Sequence, residues 1–133
     1  MHIMVHGASG RMGQLICAAA GNEIVARISP DYPANENGCW QTLAAYQGPA
    51  DCVIDFSHHS ATGALLEYCL ARRLPLLIAT TGQTEQERHQ IEAAAAVIPV
   101  FFASNYSLGI AVLTDLARRA AAMFPDADIE IVE

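Results

Sequence analysis

Apolar runs alternate with segments of helical periodicity along most of the chain. The apolar runs predict five strands, at residues 3–5, 23–28, 52–56, 76–79 and 100–103. The intervening segments and the one that follows the fifth strand predict four helices, at residues 11–20, 60–73, 84–96 and 108–123. Strand and helix in strict alternation are typical of βαβ units in a parallel sheet. Continuous apolar strands also predict that helices cover both faces of that sheet.

Local signals sharpen two of these boundaries. Gly21-Asn22 follows the first helix, where a glycine commonly ends a helix. Thr84-Glu85-Gln86-Glu87 has the spacing of a capping box, in which the threonine hydroxyl and the Glu87 carboxylate each accept a hydrogen bond from the other residue's backbone N–H. The third helix is therefore predicted to begin directly after Thr84.

Two segments depart from the alternation. Residues 29–49 are rich in Pro, Asn, Gly and Asp and predict a loop, with a helical turn at 42–46. Residues 128–133 alternate polar and apolar side chains, which predicts a strand with one buried face. We expect that strand to belong to a second sheet whose remainder is missing, so that residues 1–107 form one domain and residues 108–133 lead into another.

Composition and charge narrow the class of protein. The 133 residues are 53% hydrophobic, with a formal net charge of −7 and no run of Lys or Arg. Such a surface offers no electrostatic footprint for nucleic acid or for an anionic membrane. No stretch approaches the roughly 20 apolar residues of a membrane span. We therefore expect a cytoplasmic protein with no nucleic-acid or membrane partner.

The four cysteines give no sign of a structural or metal role. Cys17, Cys39, Cys52 and Cys69 are scattered, and no C-x-x-C pair or zinc-ligand spacing occurs. We expect mostly buried, reduced thiols, no disulfide and no metal site. The pair His58-His59 is a weak metal signal, because adjacent residues on a strand point to opposite faces.

A glycine-rich loop joins the first strand to the first helix. It comprises Gly7, Ala8, Ser9, Gly10, Arg11, Met12 and Gly13. This is the context of a dinucleotide-binding loop, although the spacing is G-x-x-G-x-x-G. Gly7 allows a tight turn, Gly10 lets backbone approach a pyrophosphate, and Gly13 lets the helix lie against the strand. Arg11 is a cation at a helix N-terminus, which a bound phosphate would explain.

The fold predicted from these features is α/β, a Rossmann-type doubly wound parallel sheet. In such sheets an acidic residue after the second strand binds the ribose of NAD. Asp31 lies near that position but beyond a proline, and it is equally well explained as a solvated loop carboxylate. Arg27 and Ser29 are alternatives that would accommodate a 2′-phosphate. The choice between NADH and NADPH stays open.

Three further loops follow the carboxyl ends of strands, where ligands bind in open α/β sheets. Their candidate cofactor-binding residues are Phe56 and Ser57, then Ala79, Thr80 and Thr81, then Ala103, Ser104, Asn105 and Tyr106. Each loop alone is explained as an ordinary turn. Four loops on one edge, with hydroxyl and amide groups suited to a nicotinamide carboxamide, predict a binding site.

The order G-A-S-G-R-M-G, D-F-S, T-T-G, N-Y-S-L-G and D-I-E-I-V-E resembles the amino-terminal part of the 4-hydroxy-tetrahydrodipicolinate reductase family, also called dihydrodipicolinate reductase. The resemblance implies that Gly7 to Met12 bind the pyrophosphate of NADH or NADPH, and that Ala79 to Thr81 and Ala103 to Tyr106 line the nicotinamide side. It implies an oxidoreductase of diaminopimelate and lysine biosynthesis, usually a homotetramer, with a small dicarboxylate substrate.

The resemblance also implies what this chain does not contain. In the family a catalytic His and Lys lie in a mixed α+β substrate domain, beyond the position of Glu133. We therefore expect the chain to bind dinucleotide and to have no reductase activity of its own. Departures at Ala79, Tyr106 and His59, where the family usually has Gly, Phe and often Pro, bear on affinity and cofactor choice.

The alternative hypothesis is a stand-alone Rossmann module that binds a nucleotide or coenzyme A. A coenzyme A domain has no need of the T-T-G and N-Y-S-L-G loops around a nicotinamide. These two loops favour the reductase.

Overall fold

The computed structural model describes residues 1–33, 37–103 and 105–130. Within them the strands are β1 (Ile3–His6), β2 (Ile24–Ile28), β3 (Cys39–Trp40), β4 (Cys52–Asp55), β5 (Leu76–Ile78) and β6 (Val100–Phe102). The α-helices are α1 (Arg11–Ala20), α2 (Thr62–Arg72), α3 (Glu85–Ala95) and α4 (Leu108–Met123). Short 3₁₀ turns lie at Gly21–Glu23, Leu43–Ala45 and His59–Ala61.

All six strands pair in parallel in the order β3-β2-β1-β4-β5-β6. The chain winds outward from β1 in one direction and then from β4 in the other. The order therefore reverses between β1 and β4, and ligands of doubly wound sheets bind outside the carboxyl ends of the strands at such a reversal. The predicted Rossmann-type sheet is confirmed.

The core has two parts, one on each face of the sheet. On one face, side chains such as Met4, Val53 and Ile78 form a cluster with Leu65 and Cys69 of α2. On the other face, Ile3 and Val5 are buried with Cys17 of α1 in a smaller cluster. The larger cluster holds most of the fully buried side chains, so we expect it to dominate the hydrophobic stabilisation of the domain.

The sequence-based boundaries agree closely with the structure at the helices. Helices α1 and α4 have the predicted ends, and the predicted capping box is present, because the Thr84 side chain accepts from the Glu87 N–H while the Glu87 carboxylate accepts from the Thr84 N–H. Sequence reasoning missed β3, which lies in the segment predicted as a loop. Only Cys39 and Trp40 pair there, alongside Arg27 and Ile28. A two-residue edge strand leaves no apolar run to detect.

The prediction that helices cover both faces of every strand is wrong for β6. Phe101 is 58% exposed and Phe102 is 38% exposed. Ile54, Leu77 and Phe101 are neighbours in register and lie on the same face of the sheet. Helix α1 covers that face only near β1 and β2. They line a cavity of about 410 Å³. Helix α4 has no buried residue, so it leaves this apolar face open.

The strand predicted at residues 128–133 is absent over Asp128 to Glu130, and residues 131–133 lie outside the described part of the chain. A strand needs a partner for its backbone N–H and C=O groups. The six strands described here pair only among themselves. No helix in the described ranges is long and apolar enough to cross a membrane.

Two leucine substitutions test this distribution of packing. Leu65 in α2 is 1% exposed, whereas Leu113 in α4 is 61% exposed. We expect Leu65→Ala to lower the free energy of unfolding by about 2–5 kcal/mol, because it leaves a cavity in the larger cluster. Leu113→Ala is the matched control and should change it by less than about 0.5 kcal/mol. Urea denaturation followed by circular dichroism measures both. A comparable loss in Leu113→Ala would show that α4 packs against the domain.

Candidate functional site

Three strand ends meet at a buried carboxylate. Asp55, at the end of β4, is 2% exposed. Its Oδ1 lies 2.9 Å from Nδ1 of His6 at the end of β1, and its Oδ2 accepts a hydrogen bond of 2.6 Å from the Thr80 hydroxyl beyond β5. The Ser57 hydroxyl donates to Oδ1 at 2.6 Å. Asp55 therefore holds together the loops that follow β1, β4 and β5.

This environment favours the charged form of Asp55. Burial raises the pKa of the carboxyl, but hydrogen bonds from His6, Ser57 and Thr80 outweigh burial, so the pKa lies below its ordinary value. A charged carboxylate accepts hydrogen bonds only, so His6 donates from Nδ1. The ring orientation is thereby fixed, with Nδ1 toward the protein.

The glycine loop is anchored to β2 on its other side. The backbone N–H groups of Gly7 and Ala8 both donate to the Ile28 carbonyl, at 2.9 and 3.1 Å. Gly10 precedes α1 in extended conformation, and no side chain caps the helix N-terminus. Arg11 and Met12 are exposed in the first turn, and Gly13 is buried. The uncapped donors and partial positive charge of α1 suit an anionic ligand.

The three glycines of the loop are required for different reasons. Gly7 has a φ of +78°, and a Cβ there would lie 2.5 Å from the backbone of Phe56. A Cβ on Gly13 would lie 2.2 Å from the Gly7 carbonyl oxygen. A Cβ on Gly10 would meet only that same oxygen, at 3.3 Å. Packing within the chain thus demands glycine at 7 and 13, whereas at 10 it leaves nearly enough room for a methyl group.

Asp31 lies beside the glycine loop. Its Oδ2 accepts hydrogen bonds from the hydroxyls of Ser9 at 2.6 Å and Ser29 at 3.2 Å, and the two hydroxyl oxygens lie 2.7 Å apart. Arg27 is directed elsewhere, because its Nη1 would lie 3.4 Å from a Cβ on Gly38. The structure thus brings Asp31, Ser9 and Ser29 together and leaves Arg27 apart from them.

These groups surround a cavity of about 360 Å³ at the reversal of strand order. Its walls come from the glycine loop and from the loops after β2 and β4. The lining residues are His6, Gly7, Ser9, Gly10, Ser29, Pro30, Asp31, Phe56, Ser57, His58, Ser60 and Ala61. We call this the first cavity.

A second cavity, of about 350 Å³, lies at the ends of β5 and β6. Its lining residues are Thr81, Gly82, Gln83, Arg88, Phe102, Ala103 and Asn105. Ala79 is buried and is not among these lining residues, and the Thr80 hydroxyl is directed inward to Asp55. The side-chain oxygen Oδ1 of Asn105 accepts a hydrogen bond from the Ser107 N–H. The side-chain nitrogen Nδ2 is therefore the group left for a ligand. Ser104 lies outside the described residues.

Phe56 and Tyr106 link the two cavities. Phe56 lines the first cavity, Asn105 lines the second, and the ring of the neighbouring Tyr106 lies 6.0 Å from that of Phe56. The Tyr106 hydroxyl donates to the Ile78 carbonyl at 3.2 Å. Because both cavities open at the same sheet edge, one extended ligand would contact residues of both.

Several lining residues were not among the sequence-predicted site residues. His6 and His58 line the first cavity, Asp55 is hydrogen-bonded to His6, and Gln83 and Arg88 line the second. Asp55 had a signal, since a carboxylate that ends an apolar strand must find buried partners. A histidine at the end of β1 had the same signal. Gln83 and Arg88 reach the second cavity only because of how their loop and helix fold.

Among the described residues, His58 and His59 are not grouped with further side chains that could hold a metal ion. His59 Nδ1 lies 3.2 Å from the Glu87 carboxylate, and His58 Nδ1 lies 2.9 Å from the Ser60 hydroxyl. Across residues 1–33, 37–103 and 105–130, no group of three or more His, Cys, Asp or Glu side chains is arranged to hold a metal ion. The four cysteines are free thiols.

Comparison with known proteins gives one consistent family. The family described as "Dihydrodipicolinate reductase, N-terminus" matches residues 1–106. A 4-hydroxy-tetrahydrodipicolinate reductase of Akkermansia muciniphila is 43% identical over 132 residues, covering 98% of this chain and 52% of its own length. The protein of that name from Campylobacter jejuni is 42% identical over 131 residues, with the same coverage. The chain spans about half the length of the curated relatives it matches.

The fold also matches solved structures. One of them is described as dipicolinate-bound dihydrodipicolinate reductase from Paenisporosarcina sp. TG-14. It superposes with a TM-score of 0.75 at 23% sequence identity, covering 95% of this chain and 55% of that one. At this identity the superposition establishes the fold.

A substitution at Asp55 tests the buried network. Because the pKa of Asp55 is lowered on folding, its contribution to stability is present above the ordinary carboxyl pKa of about 4 and is lost as the pH falls through the folded value. We expect Asp55→Asn to cost about 2 kcal/mol at neutral pH and progressively less below about pH 4. Urea denaturation from neutral to acid pH measures the difference.

The matched control is Asp126→Asn, since Asp126 is exposed near the end of the described chain. It should leave the pH profile of stability unchanged. A cost for Asp55→Asn that stays constant down to acid pH would mean that the carboxylate is not preferentially charged in the folded protein.

Proposed function

We propose that the chain, which belongs to the dihydrodipicolinate reductase family, binds a pyridine dinucleotide across its two cavities. The adenosine and pyrophosphate lie in the first cavity, against Gly7 to Met12 and Asp31. The nicotinamide lies in the second, against Thr81, Ala103 and Asn105. The observation that carries the proposal is the uncapped N-terminus of α1, which lies at a cavity lined by Gly7 and Gly10.

The residues present suit such a ligand. Gly10 is the one loop glycine that packing within the chain does not strictly require, so the absence of its side chain is explained by close approach of a phosphate. The α1 N–H groups supply donors to the phosphate, and Asp31 supplies an acceptor for ribose hydroxyls. In the second cavity the Asn105 amide supplies a donor and Gly82 an unobstructed backbone. These donors and acceptors support the binding of a pyrophosphate, a ribose and a nicotinamide.

We further propose that the whole enzyme reduces 4-hydroxy-tetrahydrodipicolinate to tetrahydrodipicolinate in diaminopimelate and lysine biosynthesis. When bound, the reduced nicotinamide supplies the hydride. The residues of this chain bind and orient the cofactor, and Phe56 and Tyr106 limit water beside the ring. In this proposal residues 1–107 are the cofactor domain, and residues 108–133 lead to a domain that carries the catalytic His and Lys and the contacts of a homotetramer. The apolar residues that α4 leaves exposed support such a continuation.

A pair of glycine substitutions tests the site. Gly10→Ala places a methyl group in the first cavity at a residue whose φ of −68° and ψ of 163° alanine adopts freely. We expect it to weaken NADH binding at least about tenfold, because about 1.4 kcal/mol is lost when phosphate oxygens are held away from α1. NADH fluorescence measures the dissociation constant. The matched control is Gly63→Ala, where nothing lies within 4 Å of the added methyl.

Gly63→Ala should bind NADH as the unsubstituted chain does. Equal binding by Gly10→Ala and Gly63→Ala would place the dinucleotide elsewhere.

Asp31 should decide between the two cofactors. Its carboxylate beside the Ser9 and Ser29 hydroxyls suits the two ribose hydroxyls of NADH and repels a 2′-phosphate, and the cation Arg27 lies away from it. We expect Asp31→Asn to weaken NADH binding about tenfold and to weaken NADPH binding less, or to strengthen it. Titration with each cofactor measures the ratio. Asp126→Asn serves as the control, and equal losses for both cofactors would remove Asp31 from ribose recognition.

A further inference from the structure

His6 lies at the first cavity, but it has no role in the proposed recognition of the dinucleotide by the glycine loop and Asp31. It is the last residue of β1, next to Gly7, and it is 8% exposed. Its side chain lines the first cavity and also an adjoining cavity of about 540 Å³. A buried imidazole at the wall of a ligand cavity is in place to contact the ligand.

The two ring nitrogens of His6 have different surroundings. Nδ1 lies 2.9 Å from Asp55, which is charged, so Nδ1 carries a hydrogen in either protonation state. Nε2 has no hydrogen-bond partner among the residues described. Among those residues, every fully buried side-chain nitrogen or oxygen atom has a hydrogen-bond partner. Because Nε2 has none, it is not fully buried and is accessible from a cavity. Only Nε2 changes with protonation, and it is the ring nitrogen that is open to a cavity.

The protonation state of His6 therefore decides what the cavity wall offers. A neutral ring presents a lone pair at Nε2, which repels a phosphate oxygen. A protonated ring presents an N–H donor and a positive charge, which is balanced from behind by Asp55. A hydrogen bond from a charged donor to a phosphate oxygen is short and strong.

We propose that His6 is a binding residue that couples dinucleotide affinity to pH: its protonated ring donates from Nδ1 to Asp55 and from Nε2 to an anionic oxygen of the bound dinucleotide, so that binding takes up one proton. This proposal rests on the proposed function. It follows by linkage that affinity falls as the pH rises, because the complex holds one more proton than the free chain.

Other titratable groups face the same ring. Asp31 and His58 lie in the first cavity, and Glu67 and Tyr68 line the adjoining one. Cys69 lies near Asp55, and burial raises the pKa of its thiol to about 12. Burial also raises the pKa of Tyr68. Histidine is the side chain that ordinarily titrates between about pH 6 and pH 8, so the experiment must separate His6 from His58.

Two substitutions replace the His6 ring with an amide, which does not titrate, and so test the role of Nε2. His6→Asn keeps an amide nitrogen near the position of Nδ1, where it can donate to Asp55, and removes Nε2. His6→Gln reaches farther with an amide that does not titrate, and it serves if the asparagine variant fails to fold by circular dichroism. The controls are His58→Asn, at the same cavity, and His89→Asn, on α3, whose side chain is 70% exposed.

The experiment is calorimetric titration of the 133-residue chain with NAD⁺, whose phosphates keep their charge over this range. It is run from about pH 6 to pH 8.5 in two buffers of different ionisation enthalpy, which counts the protons taken up. We expect the dissociation constant of the unsubstituted chain to rise up to about tenfold per pH unit, with uptake approaching one proton. His89→Asn should behave as the unsubstituted chain does, and His58→Asn should keep the proton uptake. His6→Asn should show a flat profile with no uptake.

The proposal is overturned if NAD⁺ binds and His6→Asn, or His6→Gln in its place, keeps the proton uptake, or if His58→Asn abolishes it. Absence of binding to the unsubstituted chain at every pH would overturn the proposed function and the role of His6 with it. A second readout is the NMR signal of the His6 ring, assigned by its loss in His6→Asn. Its titration midpoint should move to higher pH when NAD⁺ is added, and an unmoved midpoint would contradict the proposal.

Discussion

The geometry of the candidate site depends on one buried carboxylate. Asp55 accepts hydrogen bonds from His6, Ser57 and Thr80, and so joins the carboxyl ends of β1, β4 and β5. Burying a charge is costly unless it is paired and hydrogen-bonded, and Asp55 satisfies that condition only when all three loops are in place. The loops are thereby fixed relative to one another before any ligand arrives, which lowers the entropic cost of binding.

The glycine loop meets this network from the other side. Gly7 takes a left-handed conformation against the backbone of Phe56, and Gly13 lets α1 approach the Gly7 carbonyl. These close approaches place the N-terminus of α1 over the first cavity. Packing within the chain requires glycine at positions 7 and 13. Gly10 is therefore the loop glycine whose missing side chain is best explained by a ligand.

Much of this arrangement could be predicted from local sequence, because it has local causes. The ends of α1 follow from the glycine loop and Gly21, and the start of α3 follows from the Thr84 and Glu87 capping box. What could not be predicted depends on long-range contacts. The inward direction of the Thr80 hydroxyl is set by Asp55, 25 residues away in sequence, and the pairing of Cys39 with Arg27 is set by β2.

The exposed face of β6 and α4 has the same kind of cause. Phe101 and Leu113 are apolar, and periodicity alone predicts that both are buried. Burial requires a partner surface, and the elements described here do not supply one. The chain spans about half the length of the curated relatives it matches.

Backbone amide NMR would show whether one dinucleotide spans both cavities. Shifts of the ¹H–¹⁵N signals would be followed as ADP, nicotinamide mononucleotide, NADH and coenzyme A are added in turn. If one dinucleotide spans both cavities, ADP should move signals around Gly10 and Asp31, and the mononucleotide should move those around Thr81 and Asn105. NADH should move both sets at lower concentration. Shifts confined to the first cavity with NADH, or equal shifts with coenzyme A, would contradict this binding mode.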